Sequence, residues 1–529
     1  MANGLQQAAP RGRKGKGLSL IGFTDLGRPA NNTFSTDVWA HGDYAYVGTF
    51  FDFTGGTAGV QVIDISDPTN PTLVNNLPAP EPFTGTNDIK VAKIKTKHFK
   101  GDLLITSNES GRGGNGGADG IQIWDVTDPL NAIELSRVPG PPVHNLFLYQ
   151  KGKRAYVALA VPFAEVFSQF FPPFVTIGDF ILVEVTDPRN PQIISDWGAG
   201  KDGGFTFGAP FPFGPVPPTC DPSVCRGSSP FVNLHDVWVN EKGTIAYLSY
   251  WDLGLVLLDI SKPSKPKFIG LGTEPPALGS NEGNTHAAVP TKDGKYVFVT
   301  DEDFEPGPWG FLRVYDTKKP KKPKQIATYA TDGTLNNMDD SITRTIHNIV
   351  IEGPRAYISW YFEGIHVLDI SKPKKPKEIA SFLPPMGTGP GNFWGIYVHD
   401  GLILASDIES GLYILELNEK KKSSGPLASG DRTAEATSVL SLEQNQPNPF
   451  NPMTVIRFSV GVQARVRLTV YDVSGKAVRT LLDQSFAAGT HSVQWNGRDD
   501  NGAPVSSGVY FYRLTAGRET ITRKAVFLK

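Results

Sequence analysis

The stretch "IHVLDISKPKKPKEI", residues 365–379, decides the fold. An apolar run leads into Asp369, and prolines follow at Pro373 and Pro376. Proline lacks a backbone donor and is excluded from a central strand. Asp and Ser side chains bond nearby backbone groups and favour turns. A second proline pushes the residue before it into extended backbone. The motif therefore ends one strand, turns and starts another. It recurs as "VQVIDISDPTNPTLV" from Val60, "IQIWDVTDPLNAIEL" from Ile121, "ILVEVTDPRNPQII" from Ile181, "LVLLDISKPSKPKFI" from Leu255 and "LRVYDTKKPKKPKQI" from Leu312. A seventh copy, "LYILELN" from Leu412, keeps the strand and loses the prolines.

The acidic position falls at Asp64, Asp125, Glu184, Asp259, Asp316, Asp369 and Glu416, so the copies lie 47 to 75 residues apart. That period indicates propeller blades or a solenoid. Two further strands precede each copy, as in "LHDVWVNEKGTIAYLSYWD" (234–252) and "NTHAAVPTKDGKYVFVTDED" (284–303). Seven units of four strands, a to d from the inside outwards, predict a seven-bladed β-propeller. The seventh unit lacks its d strand, and "LSLIGFTDLG" (18–27) has the look of one. Supplied from the N-terminus, it closes the ring and removes two exposed sheet edges.

Composition agrees with an all-β chain. The 529 residues are 39% hydrophobic with 56 Gly and 43 Pro, and no convincing amphipathic helix of twelve residues stands out. A net charge of -2 gives no reason to expect nucleic acid as a partner. No apolar run is long enough to cross a bilayer as a helix. The N-terminal "MANGLQQAAPRGRKGKG" has basic residues but no apolar core, so it is not a signal peptide as it stands. Cys220 and Cys225, in "PTCDPSVC", are spaced too widely for a redox CxxC pair, and a local disulfide is expected in an oxidising compartment.

On these repeats, residues 18–418 resemble the LVIVD repeat family, which implies a propeller of an exported bacterial protein. Residues 1–17 read as a flexible N-terminal segment and 419–440 as a polar, small-residue linker. Residues 441–529 alternate apolar and polar between Gly- and Asn-containing turns, which suits a small Ig-like β-sandwich. The tail also resembles the type A sorting domain of the type IX secretion system. That likeness rests on Asn448-Pro449-Phe450-Asn451-Pro452, Tyr471-Asp472, Gly475, Trp495-Asn496-Gly497, Asp500, Gly502 and Gly508-Val509-Tyr510. It implies the type IX machinery as partner, and a secreted or cell-surface location outside the outer membrane.

Aligning the starts of the a strands gives a column of Thr36, Asn87, His144, His235, His286, His347 and Trp394. The next column is Asp37, Asp88, Asn145, Asp236, Ala287, Asn348 and Gly395. In a propeller the a strands line the central channel, and the ends of the b strands share the face on which they start. Those ends supply Asp52, Glu109, Asp252, Asp301, Glu302, Glu363 and Asp407. One reading is a site for a divalent or transition metal ion, with His144, His235, His286 and His347 as candidate ligands. Asp301 and Glu302 are then candidates for a carboxylate ligand or a catalytic base. The other reading is structural, each imidazole bonding an acid of its own blade or a neighbouring carbonyl.

Aromatic residues near the same mouth, among them Phe50, Phe51, Trp251, Trp360, Tyr361 and Trp394, either pack between blades or form a ligand platform. The insertion 203–231 has the content of a lid or an oligomer contact, which leaves a homo-oligomer open. Lysine-rich turns in blades four to six form a patch on the opposite face, suited to anionic polysaccharide or lipopolysaccharide or merely solvated. No GxSxG, HExxH or phosphate-binding glycine loop occurs. Three functions remain open: a cell-surface binding or structural module, a metal-dependent extracellular hydrolase or oxidase, and a self-assembling surface-layer or filament subunit.

Overall fold

The computed structural model describes residues 16–27, 34–50, 58–110, 118–162, 164, 177–205, 233–251, 253–272, 284–303, 309–336, 343–384, 391–418, 440–442, 445, 448, 450, 453–460, 464–472, 476–486, 489–500, 503–516 and 519–527. The chain divides into two compact units, Met1–Lys421 and Lys422–Lys529. The disulfide expected between Cys220 and Cys225, most of the 203–231 insertion, and Phe51, Asp52 and Asp252 lie outside the described residues.

The first unit is a seven-bladed β-propeller of seven four-stranded antiparallel sheets. Its innermost strands are Phe34–His41, Thr84–Lys95, Asn145–Lys151, Leu234–Val239, Thr285–Pro290, Ile349–Glu352 and Phe393–His399. Each touches the next around the ring, and the seventh touches the first. The last sheet is completed by Leu18–Thr24, antiparallel to Gly411–Leu417 with Leu18 opposite Leu417. The N-terminal strand thus closes the ring.

Apolar burial follows the ring. Seven buried clusters fill the seven gaps between neighbouring sheets. Tyr46, Val62 and Leu104 bridge blades 1 and 2. Val38 and Ile63 meet Leu404 and Ile414 across the closing gap between blades 7 and 1. Burying alternate aliphatic side chains on both faces of each sheet is what the Val-, Ile- and Leu-rich strands dictate.

The proline-ended turns hold the outer edge. In five blades the acid ending the c strand caps its own turn: Ser66, Thr127, Ser261, Lys318 and Ser371 donate backbone N–H to Asp64, Asp125, Asp259, Asp316 and Asp369. Each outer strand carries a β-bulge in its pairing with its c strand. In five blades the residue after the bulge meets the first turn proline of the next blade. Asn75, Ser136 and Ser195 donate side-chain hydrogen bonds to the carbonyls of Pro129, Pro188 and Pro263. Gly22 and Gly270 approach more closely; a Cβ on either would fall 2.0 and 2.3 Å from the carbonyl oxygens of Pro68 and Pro320. Blade 7 has no such turn. There Lys16 takes its place, exchanging two 2.8 Å backbone bonds with Ser381 of blade 6.

The second unit is a β-sandwich. One sheet orders Leu440–Leu442, Thr454–Val460 and Gly489–Trp495; the other orders Ala477–Phe486, Ala464–Tyr471, Gly508–Ala516 and Glu519–Phe527. Phe458 and Trp495 from the first pack with Leu468, Tyr512 and Leu514 from the second.

If the bulge-to-proline contact locks the closing blade, Gly22→Ala should destabilise the propeller by about 1–3 kcal/mol through backbone overlap. Gly140→Ala, where a Cβ meets nothing within 4 Å, should stay within about 0.5 kcal/mol of the parent. Denaturant unfolding of the two variants checks this.

Candidate metal centre at the channel mouth

The histidines of blades 3 to 6 stand side by side. Ring centroids are 4.3 Å apart for His144–His235, 4.3 Å for His235–His286 and 4.1 Å for His286–His347. Trp394 of blade 7 continues the arc, 4.6 Å from His347. The cause is the repeat itself, since each side chain sits at the same position at the start of an inner strand.

Their nitrogens are used differently. His144 Nδ1 lies 2.5 Å from Glu109 Oε1. His347 Nδ1 donates to the Trp394 carbonyl at 2.8 Å. Asn87 makes the matching bond to the His144 carbonyl at 2.9 Å, so a hydrogen bond to the next blade's backbone is a shared structural device of this column. His286 does not use it: its Nδ1 has no hydrogen bond, although the residue is 1% exposed.

Glu302, just past the b strand Tyr296–Asp301, faces both central rings. Its carboxylate oxygens lie 3.5 Å from His286 Nε2 and 3.6 Å from His347 Nε2. Tyr361 donates its hydroxyl to Glu302 at 2.5 Å. Tyr361 holds a left-handed backbone, φ 30°, uncommon for a bulky residue. His235, His286 and Glu302 each offer a ligand atom within 4.8 Å of the others.

The electrostatics favour uncharged imidazoles. Burial and the neighbouring rings hold His235 and His286 well below the usual histidine range. His347 falls to about 3, mainly through burial, against the Trp394 hydrogen bond. At His144 burial acts in the same sense, but the charge and hydrogen bond of Glu109 outweigh it and the net shift is upward. Burial pushes Glu302 up to about 8 despite its Tyr361 hydrogen bond. Neutral imidazoles offer lone pairs, and a buried carboxyl that resists ionisation is short of a cation.

The other residues expected here divide. Glu109 and Glu302 join the histidines. Asp301 instead accepts two hydrogen bonds from buried Arg313, at 2.6 and 3.1 Å. Glu363 is paired with Arg344, and Asp407 accepts the N–H groups of Glu409 and Ser410. Trp360, Trp309, Tyr250 and Phe393 are buried inside the sheets. Phe50, Trp251 and Trp394 stay half-exposed beside the arc, with Trp251 4.9 Å from His235 and Phe50 6.2 Å from Trp394.

The second column lines a cavity of about 40 Å³ on the axis, with Asp37, Asp88, Asn145, Asp236 and Asn348 in its wall. Lys90, which sequence reading had not singled out, is buried here against Asp88 and lies 3.3 Å from Asp37. Asn348 of blade 6 donates to Asp37 of blade 1 at 3.1 Å, and Leu146 N of blade 3 donates to Asp88 of blade 2 at 2.8 Å. The network ties blades together at the axis.

LVIVD repeat models match residues 34–77, 233–271 and 344–383. The FlgD Ig-like domain model matches residues 458–519. No curated protein matches the chain. Among solved structures, the chain is similar to the β-propeller domain of Myceliophteria thermophila Cps50 (Swd1), at 13% identity and TM-score 0.42 over 73% of this chain and 98% of that one. It is similar to the periplasmic gluconolactonase PpgL of Pseudomonas aeruginosa, at 10% identity and TM-score 0.42 over 87% and 98%. A third likeness is to the computationally designed Ika8 protein, at 9% identity and TM-score 0.40 over 72% and 96%.

Burial raises Asp37 to about 8, against the Lys90 charge. Between roughly pH 4 and 8 the folded chain then holds a proton there that the unfolded chain has lost, so this group lowers stability as pH rises. Asp37→Asn removes that term. The melting temperature of the variant relative to the parent should climb from pH 5 to pH 8; a flat difference would show that Asp37 ionises normally.

Proposed function

We propose that this chain is an extracytoplasmic binding propeller whose working end is the histidine-lined mouth, where His235, His286 and Glu302 hold a divalent transition metal. One observation carries the reading: the buried His286 imidazole has an unsatisfied Nδ1 and faces, through Nε2, a carboxyl that burial keeps from ionising. Two imidazoles and a carboxylate suit zinc and its neighbours, and leave coordination positions for a ligand entering the mouth. His347, with Nδ1 fixed by a backbone carbonyl and Nε2 towards Glu302, has the orientation of a further ligand. His144 is the outer member, committed to Glu109. The half-exposed Phe50, Trp251 and Trp394 supply an apolar rim for an organic ligand.

The test is elemental analysis of protein equilibrated with equimolar Zn2+ and desalted. About one metal per chain is expected, falling below one tenth in a His286→Ala/His347→Ala double variant that keeps its cooperative melt. No retained metal in the parent, or full retention in the variant, removes the centre and leaves a metal-free binding module.

A second reading, metal-dependent catalysis, is favoured by Tyr361. Its strained backbone brings a hydroxyl against Glu302, and such strain concentrates at functional sites. Asp301, bound to Arg313, is not the base in this reading. Tyr361→Phe would leave metal content unchanged and abolish any hydrolase or oxidase turnover found with the metal-loaded parent.

The Ig-like tail is read as the address. Its NPFNP and WNG segments resemble type A sorting domains, and among the described residues no helix is long and apolar enough to cross a membrane. In a cell with type IX machinery, deleting residues 441–529 should trap the propeller inside; unchanged release would refute the assignment.

A further inference from the structure

On the face opposite the histidines, the turns ending the c strands carry different charges in the two halves of the ring. The position before the first turn proline is Asp67, Asp128 and Asp187 in blades 1 to 3, but Lys262, Lys319 and Lys372 in blades 4 to 6. All six turns keep the same backbone bond, Asn70 N to Asp67 O at 3.0 Å and Lys322 N to Lys319 O at 2.8 Å for example. The aspartates add a cap: they accept from Thr69 N at 3.0 Å, Leu130 N at 3.1 Å and Arg189 N at 3.2 Å. A lysine cannot accept these bonds. The three basic turns therefore forgo a local stabilisation that the same turn obtains elsewhere in the molecule.

The basic positions continue beyond that one residue. Residues 262–267, 318–324 and 372–377 hold twelve lysines, all of them exposed. Among the described ion pairs only Lys318 has an acidic partner, Asp316 at 3.4 Å. The blades abut here, since Gly270 of blade 4 packs against Pro320 and Lys321 of blade 5. The turns of blades 4 and 5 thus form one surface, and the turn of blade 6 is the next around the ring. Its prolines fix the backbone, so little ordering is needed on binding. The turns contain no aromatic side chain on which a nucleic-acid base could stack.

We propose that this rim of blades 4 to 6 is a docking surface for an acidic polysaccharide, whose repeated carboxylate or sulfate groups lie along three successive lysine turns. Attraction between exposed charges of this kind is steered over long range and screened by salt.

The experiment measures binding of the full chain to polygalacturonate and to heparin by titration calorimetry at 50 and 300 mM NaCl. The parent should bind both, with affinity falling at least several-fold at the higher salt. The variant K262D/K319D/K372D/K321E/K374E places at three positions the residue that blades 1 to 3 carry in the same turn, so its melting temperature should match or exceed the parent's. Its glycan affinity should drop roughly tenfold or more. Absence of binding by the parent, salt-independent binding, or equal binding by the folded variant overturns the proposal. So does binding confined to anionic phospholipid vesicles or duplex DNA, or an apparent signal that light scattering traces to self-association. Metal loading does not enter any of these readouts, so they are independent of the mouth site.

Discussion

A single constraint runs through the propeller: the outer strand of each blade must dock on a turn of the next. The turn proline supplies a carbonyl with no competing donor at its own nitrogen, and the bulge aims one small or polar residue at it. Where that residue is Asn75, Ser136 or Ser195 the contact is a hydrogen bond; at Gly22 and Gly270 it is direct backbone approach. Blade 7 lacks the turn, and Lys16 substitutes for it at Ser381. The N-terminal segment therefore replaces both a strand and a latch, which is why ring closure requires residues almost four hundred positions apart in sequence.

Closure has a chemical consequence. Residues at one repeat position are brought to one circle around the axis, whatever their separation in the chain. The first column forms the histidine arc, and the second, with Lys90, forms the polar network of Asp37 and Asp88. A repeated position invites a repeated structural bond, and Asn87 and His347 make it. His286 and Glu302 depart from that device. The departure marks the part of the arc that packing alone leaves unexplained.

The fold was legible because its signals are local: period-two alternation, Asp-Ser turns and prolines fix strand ends without knowledge of the partner strand. The alignment of strand starts placed four histidines together, and the two acids that join them lie at the ends of b strands as the pattern required. Asp301 and Glu302 were indistinguishable in sequence. Their side chains leave opposite faces of the backbone, and Arg313, twelve residues on, captures one of them. Lys90 was missed because a lysine two residues after the second column has no counterpart in the other blades. The role of Tyr361 depends on a backbone angle that no residue pattern announces. The basic rim was visible as composition, but the turn cap it forgoes appeared only in the hydrogen bonds.

The most direct test of the account is a diffraction measurement at the zinc absorption edge on crystals grown with Zn2+. The account predicts one strong anomalous peak, about 2.0–2.2 Å from a nitrogen of His235, a nitrogen of His286 and an oxygen of Glu302. A mouth with no peak, with His286 Nδ1 left unsatisfied, would contradict it.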